Sequence, residues 1–272
     1  MSIVSELEEL TGCCELKEYQ KGTSTRKYLG RFENKTVIVR QFVERQYYGN
    51  RYQREGFALK FLSENRDKVN FDFPEVILDF PEKSVRVVDW LPGKSLNELV
   101  LTPKLQKDIM LKVWDSLSSL PTPQIKTFNL IRDIKLLTED DSFIVSSAKS
   151  FYHMLKEKAW NSFDKSIIKA HPKTLIHGDF FQNNIIVEDP ENPSESKIGL
   201  IDWEYASVGS KYFDLSYCQA YGNLHFIHEN SKEINAWTNL INLLITHWYG
   251  THYDVNPKES KEWLQKILER VT

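Results

Sequence analysis

Cysteine is scarce in this chain. Three of its 272 residues are Cys, at 13, 14 and 218. Adjacent cysteines do not readily bridge each other, and no paired spacing of the zinc-holding kind occurs. No disulfide framework is expected, and the small odd count fits a reducing compartment. Long apolar runs are lacking too. Spanning a bilayer takes ~18 apolar residues, and the richest region, 236–249, is interrupted by Asn239, Asn242 and His247. The opening MSIVSELEELTG lacks the basic start and apolar run of a signal peptide. We therefore expect a cytoplasmic protein with no membrane partner. Neither charge dominates: 35 Lys and Arg face 38 Asp and Glu, a net −3. A nucleic-acid binder would show a basic domain or stripe, whereas Arg40, Arg45, Arg51 and Arg54 are interspersed with Glu44 and Glu55. Internal repeats and low-complexity segments are absent as well.

What is present suffices for a sizeable core: 41% of residues are hydrophobic. The first ninety residues are rich in short β-branched or alternating runs: 15–19, 27–32, 36–42, 75–78 and 85–88. Glu33-Asn34-Lys35 reads as a hairpin turn. One helix, 51–64, interrupts the strands. After Trp90 the texture changes. Leu91-Pro92-Gly93 is a hinge signal, and Ser95 with Glu98 three residues on forms a capping box. Helical patterns follow at 104–120, 142–160, 214–219, 232–249 and 257–271, with strand-like runs at 184–188 and 197–201. The expected architecture is α+β and bilobal. A β-rich lobe spans 1–90 and a larger helical lobe spans 91–272.

The most specific signal is LIHGDFFQNNIIV, residues 175–187, followed by GLIDWEYA, residues 199–206. The first holds His177 and Asp179, with Asn184 five residues after the aspartate; the second holds Asp202. Phosphoryl transfer needs metal to neutralise the triphosphate and a carboxylate positioned at the attacking hydroxyl. Asp179 on a loop suits the second task. Asn184 and Asp202 offer the hard oxygens that Mg²⁺ prefers. Singly, each has a dull explanation as a turn former or strand cap. The joint pattern, His-x-Asp, Asn five on, a short hairpin and an apolar strand ending in Asp, is far more demanding.

These residues resemble the catalytic and metal-binding loops of the eukaryotic-like kinase superfamily, and their wording resembles the aminoglycoside phosphotransferase and choline kinase group. HGDFFQNN looks like that group's H-x-D-x-x-x-x-N loop. Ile201-Asp202-Trp203-Glu204-Tyr205-Ala206 looks like the metal segment of bacterial choline and thiamine kinases, and Phe213-Asp214-Leu215 like the group's bracing element. The resemblance implies a protein-kinase-like fold with ATP and Mg²⁺ bound between the lobes. Asp179 would be the base and His177 a brace of its loop, with Asn184 and Asp202 on the metal. In Val37-Ile38-Val39-Arg40-Gln41, Arg40 stands where such kinases reach the phosphates, with Glu55 as its natural partner. An outward-facing Arg40 or Glu55 is the bland alternative. Thr23 and Ser24 sit where a phosphate-covering loop belongs. The peptide groups of Asp89, Trp90 and Leu91 match the linker that holds adenine.

The acceptor is expected to be a hydroxyl on a small, cationic metabolite. Aromatic faces with carboxylates suit such a group, and Glu204, Tyr205, Trp248 and Tyr249 are the candidates. Core packing is the ordinary alternative for any one aromatic. Choline kinase-like activity is the first reading. Thiamine and aminoglycosides are alternatives within the fold, and a non-catalytic pseudokinase is the alternative of another class.

Overall fold

The computed structural model describes residues 2–21, 25–43, 50–124, 130–139, 141, 146–162, 173–222, 231–251 and 257–271. Packing groups them into two units. One joins Met1–Leu120 with Gln182–Ala206; the other joins Pro121–Phe181 with Ser207–Thr272.

In the first unit, helix α1 (Ile3–Thr11) starts where the Ser2 side chain accepts from the Ser5 N–H, and ends at Gly12, whose φ of 68° suits glycine. Five antiparallel strands follow in the order β1-β2-β3-β5-β4. They are β1 (Cys14–Lys21), β2 (Thr25–Phe32), β3 (Lys35–Phe42), β4 (Val76–Phe80) and β5 (Val85–Asp89). The β2–β3 turn is two residues, Glu33 and Asn34, both at positive φ (46° and 66°). Such a turn matches the twist of the flanking strands. Side chains alternate faces along a strand. Val37, Val39, Val85 and Val87 therefore join Leu16, Tyr28 and Leu7 of α1 in one core. Arg40 belongs to the opposite face, in register with Lys27 on β2 and Arg86 on β5. Helix α2 (Arg51–Glu64) buries Tyr52, Glu55, Ala58, Leu59 and Leu62, a helical stripe. Phe57 and Phe61 of the same helix are only partly buried.

A second sheet of this unit has the order β6-β8-β9: β6 (Lys94–Ser95), β8 (Ile185–Val187) and β9 (Ile198–Leu200). Gly93 makes its approach possible. Its φ is +126°, and a Cβ there would lie 2.2 Å from the Val187 carbonyl oxygen. The Ser95–Glu98 capping box is formed, and α3 (Pro103–Ser118) starts on a Thr102 cap.

The second unit holds α4 (Leu130–Glu139), α5 (Ser146–Ser162), β7 (Lys173–Ile176), β10 (Ser207–Ser210), α6 (Tyr212–Gly222), α7 (Ser231–Thr251) and α8 (Pro257–Val271). β7 and β10 form an antiparallel pair. Neither strand is anticipated by the sequence pattern, because both are short and Ser-Val-Gly-Ser carries little β preference. Helices α1 and α4 are likewise additions to the expected elements. No helix of the described residues is long and apolar enough to cross a membrane.

Candidate active site

The row Lys27–Arg40–Arg86 meets four carboxylates within the first unit. Arg40 binds Glu55 at 3.0 Å, Asp202 at 2.7 Å and Glu204 at 3.1 Å. Lys27 binds the other Asp202 oxygen at 2.8 Å. Arg86 binds Glu55 at 3.1 Å and Asp79 at 3.2 Å, and it accounts for the second oxygen of Glu55. Burial disfavours charge, and the buried ions of this cluster are each paired with an opposite one. Burial opposes the Asp202 carboxylate, but the Lys27 and Arg40 charges together outweigh it and hold its pKa far below the usual range. Burial likewise opposes the Arg40 charge, and Glu55, Asp202 and Glu204 overcome it. Asp202, two residues past the end of β9, has φ 70° and ψ 57° and opens a short turn over Trp203–Tyr205. A non-glycine residue in this region persists only where its surroundings enforce it. Here they do: fully buried Trp203 donates its indole N–H to the Leu200 carbonyl at 2.9 Å and stacks on Phe71.

Asn184 closes a short turn, Gln182–Asn184, immediately before β8. Its carbonyl accepts the N–H of Ile201, the residue before Asp202, at 2.9 Å.

Within the second unit, one face of α6 grips residues 177–181. Asp214 accepts the His177 N–H at 2.8 Å and the Gly178 N–H at 3.0 Å. The Tyr217 hydroxyl lies near the Asp179 carboxylate, and burial followed by that negative charge raises the tyrosine's pKa. Cys218 donates its thiol to the Phe180 carbonyl at 3.0 Å, and the Tyr221 ring contacts Phe181. The spacing 214, 217, 218, 221 is that of a single helix face. His177 is fully buried, and its Nδ1 accepts the Asp179 N–H at 3.2 Å, a brace inside the loop. Burial raises the Asp214 pKa to about 6 against the lowering effect of His177 and the two backbone N–H groups.

The sequence profile of the phosphotransferase enzyme family matches residues 15–236. The chain belongs to this family. A curated relative, a LicA homolog from Metamycoplasma hominis, is 27% identical over 216 residues, covering 73% of this chain and 78% of its own. Among solved structures, choline kinase LicA from Streptococcus pneumoniae aligns with a TM-score of 0.65 at 16% identity, over 98% of this chain and 96% of its own. A thermostable mutant of aminoglycoside phosphotransferase APH(4)-Ia, in ternary complex with ADP and hygromycin B, aligns at 0.68 and 14%, over 99% and 98%. The fold of this phosphotransferase is therefore kinase-like. It is a phosphotransferase, for which the sequence leads one to expect ATP as donor and Mg²⁺ as cofactor.

The residues present fit such a cofactor. Asp202 is an ionised hard donor paired with Lys27 and Arg40, and Asn184 carries an amide oxygen. Among the described residues no group of three His, Cys, Asp or Glu side chains can hold a metal.

Other expected residues of the phosphotransferase divide. Asp89 and Trp90 spend their N–H groups inside the sheet unit, on the Glu75 and Thr36 carbonyls at 3.1 and 3.3 Å. The Leu91 N–H makes no such backbone bond among the described residues. Thr23 and Ser24 lie outside the described residues. Glu204 and Tyr205, expected on the substrate, are placed otherwise. Glu204 is buried, with Thr25 at 2.5 Å, Arg40 at 3.1 Å and Arg51 at 3.7 Å. Arg51 also lies over the Tyr205 ring, 4.9 Å from its centroid. Three neighbouring cations and hydroxyls saturate Glu204, so it belongs to the Arg40 network. Trp248 and Tyr249 end an aromatic chain of the second unit: Trp248–Tyr249 (4.9 Å), Tyr249–Trp263 (5.7 Å), Trp263–Tyr221 (5.0 Å) and Tyr221–Tyr217 (4.9 Å). Sequence reasoning missed Lys27, Arg86, Tyr217 and Trp263. Lys27 alone had a signal, since an eight-residue strand paired tightly to that of Arg40 fixes which residue stands opposite it.

Proposed function

We propose that this phosphotransferase acts on the hydroxyl of a small quaternary-ammonium alcohol of the choline class. The observation that carries this reading is the aromatic chain from Trp248 to Tyr217, which ends on the Asp179 carboxylate. Aromatic faces attract a cation that cannot donate hydrogen bonds, and a carboxylate at the end of the array meets the alcohol. The LicA homolog and choline kinase LicA among the similar proteins support the same class.

In this reading Asp179 orients the acceptor hydroxyl and takes its proton as the oxygen attacks the γ-phosphorus. The Tyr217 hydroxyl and the His177 brace hold the carboxylate in place. Arg40, fixed by Glu55, would contact the phosphates, and Asn184 and Asp202 would hold Mg²⁺, which would supply positive charge at the transferring group. The bond to the γ-phosphorus forms from the alcohol oxygen as the bond to the β-phosphate bridging oxygen breaks, giving the phosphate ester and ADP. The linker at Leu91 presents backbone groups to adenine.

A coupled ADP-release assay over choline, ethanolamine, thiamine, an aminoglycoside and the neutral isostere 3,3-dimethylbutan-1-ol tests this. Turnover of choline or a close quaternary analogue, with the isostere inert, is expected. Turnover of an aminoglycoside or thiamine with choline inert overturns the substrate assignment. No ADP release above background with any alcohol, alongside intact nucleotide binding, favours a pseudokinase.

A further inference from the structure

Lys27 and Arg40 stand opposite each other on β2 and β3, and each holds one oxygen of Asp202. The two cations are not equivalent. Arg40 is 4% exposed and is shared among Glu55, Asp202 and Glu204. Pulling it from Asp202 would disturb two other buried carboxylates. Among the described residues Lys27 has a single ion pair, to Asp202 Oδ2 at 2.8 Å. Its ammonium is a point charge on a flexible stem with no planar geometry to preserve. A divalent ion approaching Asp202 meets a carboxylate already neutralised on both oxygens, and one cation must give way. Lys27 is the one whose departure leaves no other carboxylate unpaired.

We infer that Lys27 is an exchangeable place-holder on the metal ligand: in the nucleotide-free enzyme it occupies Asp202 Oδ2, and when metal and nucleotide arrive it yields that oxygen and turns to a phosphate oxygen. The inference rests on the reading of Asp202 as a metal ligand. It makes two affinities move in opposite directions. Metal alone binds weakly because it competes with Lys27, whereas nucleotide alone gains from a second cation. Together they bind as a unit, since each relieves the competition faced by the other.

Lys27→Met is the test, with Lys27→Gln as a second neutral variant and Lys27→Arg keeping the charge. Each is first checked for a cooperative thermal melt. Mn²⁺ binding to nucleotide-free protein is read by electron paramagnetic resonance, and ADP binding in EDTA by calorimetry. The neutral variants should bind Mn²⁺ roughly tenfold tighter and ADP roughly tenfold weaker, the size of one charge-assisted contact. Lys27→Arg should stay near wild type in both. Unchanged Mn²⁺ and ADP affinities in the neutral variants, while Asp202→Asn loses Mn²⁺ binding, overturn the exchange. Wild-type Mn²⁺ affinity in Asp202→Asn instead shows that the metal-ligand reading has failed, and the inference falls with it.

Discussion

Glu55 is held by two arginines from neighbouring strands, Arg40 on one oxygen at 3.0 Å and Arg86 on the other at 3.1 Å. All three side chains are at most 5% exposed. Removing the shared charge leaves two buried guanidinium groups short of a partner, which is the costly way to break a buried pair. Glu55→Gln should lose about 3 kcal/mol of unfolding free energy in a denaturant titration. A loss within about 0.5 kcal/mol, the range of an ordinary surface substitution, would mean that the charge is compensated elsewhere.

Arg86 also fixes the neighbouring helix position. A Cβ on Gly56 would come 2.6 Å from Arg86 Nη2. Gly56→Ala normally favours a helix, but here it should destabilise by about 1–3 kcal/mol through overpacking. Combining it with Arg86→Met should recover part of that loss, which a double-mutant cycle measures.

Asp214 should impose a pH dependence on folding. The folded protein keeps its carboxyl proton up to about pH 6, whereas an unfolded aspartate releases it near pH 4. Between those values folding takes up a proton, so this contribution to stability is greatest below pH 4 and is lost as pH rises through 6. The stability advantage of wild type over Asp214→Asn should therefore shrink between pH 4 and 7, by up to about 3 kcal/mol. A constant difference would place the titration elsewhere.

The nearness of the Tyr217 hydroxyl to the Asp179 carboxylate predicts a graded pair of kinetic effects. Asp179→Asn should lower kcat by roughly 100- to 10,000-fold while sparing nucleotide binding. Tyr217→Phe keeps the ring stack on Tyr221 and removes only the hydroxyl. It should lower kcat about tenfold and move the acid limb of the kcat profile upward, because a carboxylate without its donor holds its proton more tightly. Equal kcat and an unmoved limb in Tyr217→Phe would reduce the tyrosine to packing.

Trp248→Ala should raise KM for a quaternary-ammonium alcohol about 5- to 30-fold, the worth of one cation–π contact. Steady-state kinetics with ethanolamine for comparison would show whether the loss follows the methylated cation.

The chain by itself determined its class of chemistry. His177, Asp179, Asn184 and Asp202 lie within 26 residues of one another, and local spacing carries their order of loop, strand, hairpin and strand. Strand alternation put Arg40 on one face of the sheet, and the turn at Glu33-Asn34 set its register. Capping at Ser95 and Glu98 was equally local. Tertiary structure decided what those residues touch. Nothing near Glu204 in sequence announces Thr25, Arg40 and Arg51, and no periodicity assigns Arg86 to Glu55. Pairings across 31 to 179 positions depend on which strands and helices become neighbours. The β7–β10 pair and the grip of α6 on residues 177–181 are of the same kind. Ions survive burial only when opposite charges arrive from elsewhere in the chain, so the role of a buried charge belongs to the fold and not to its segment.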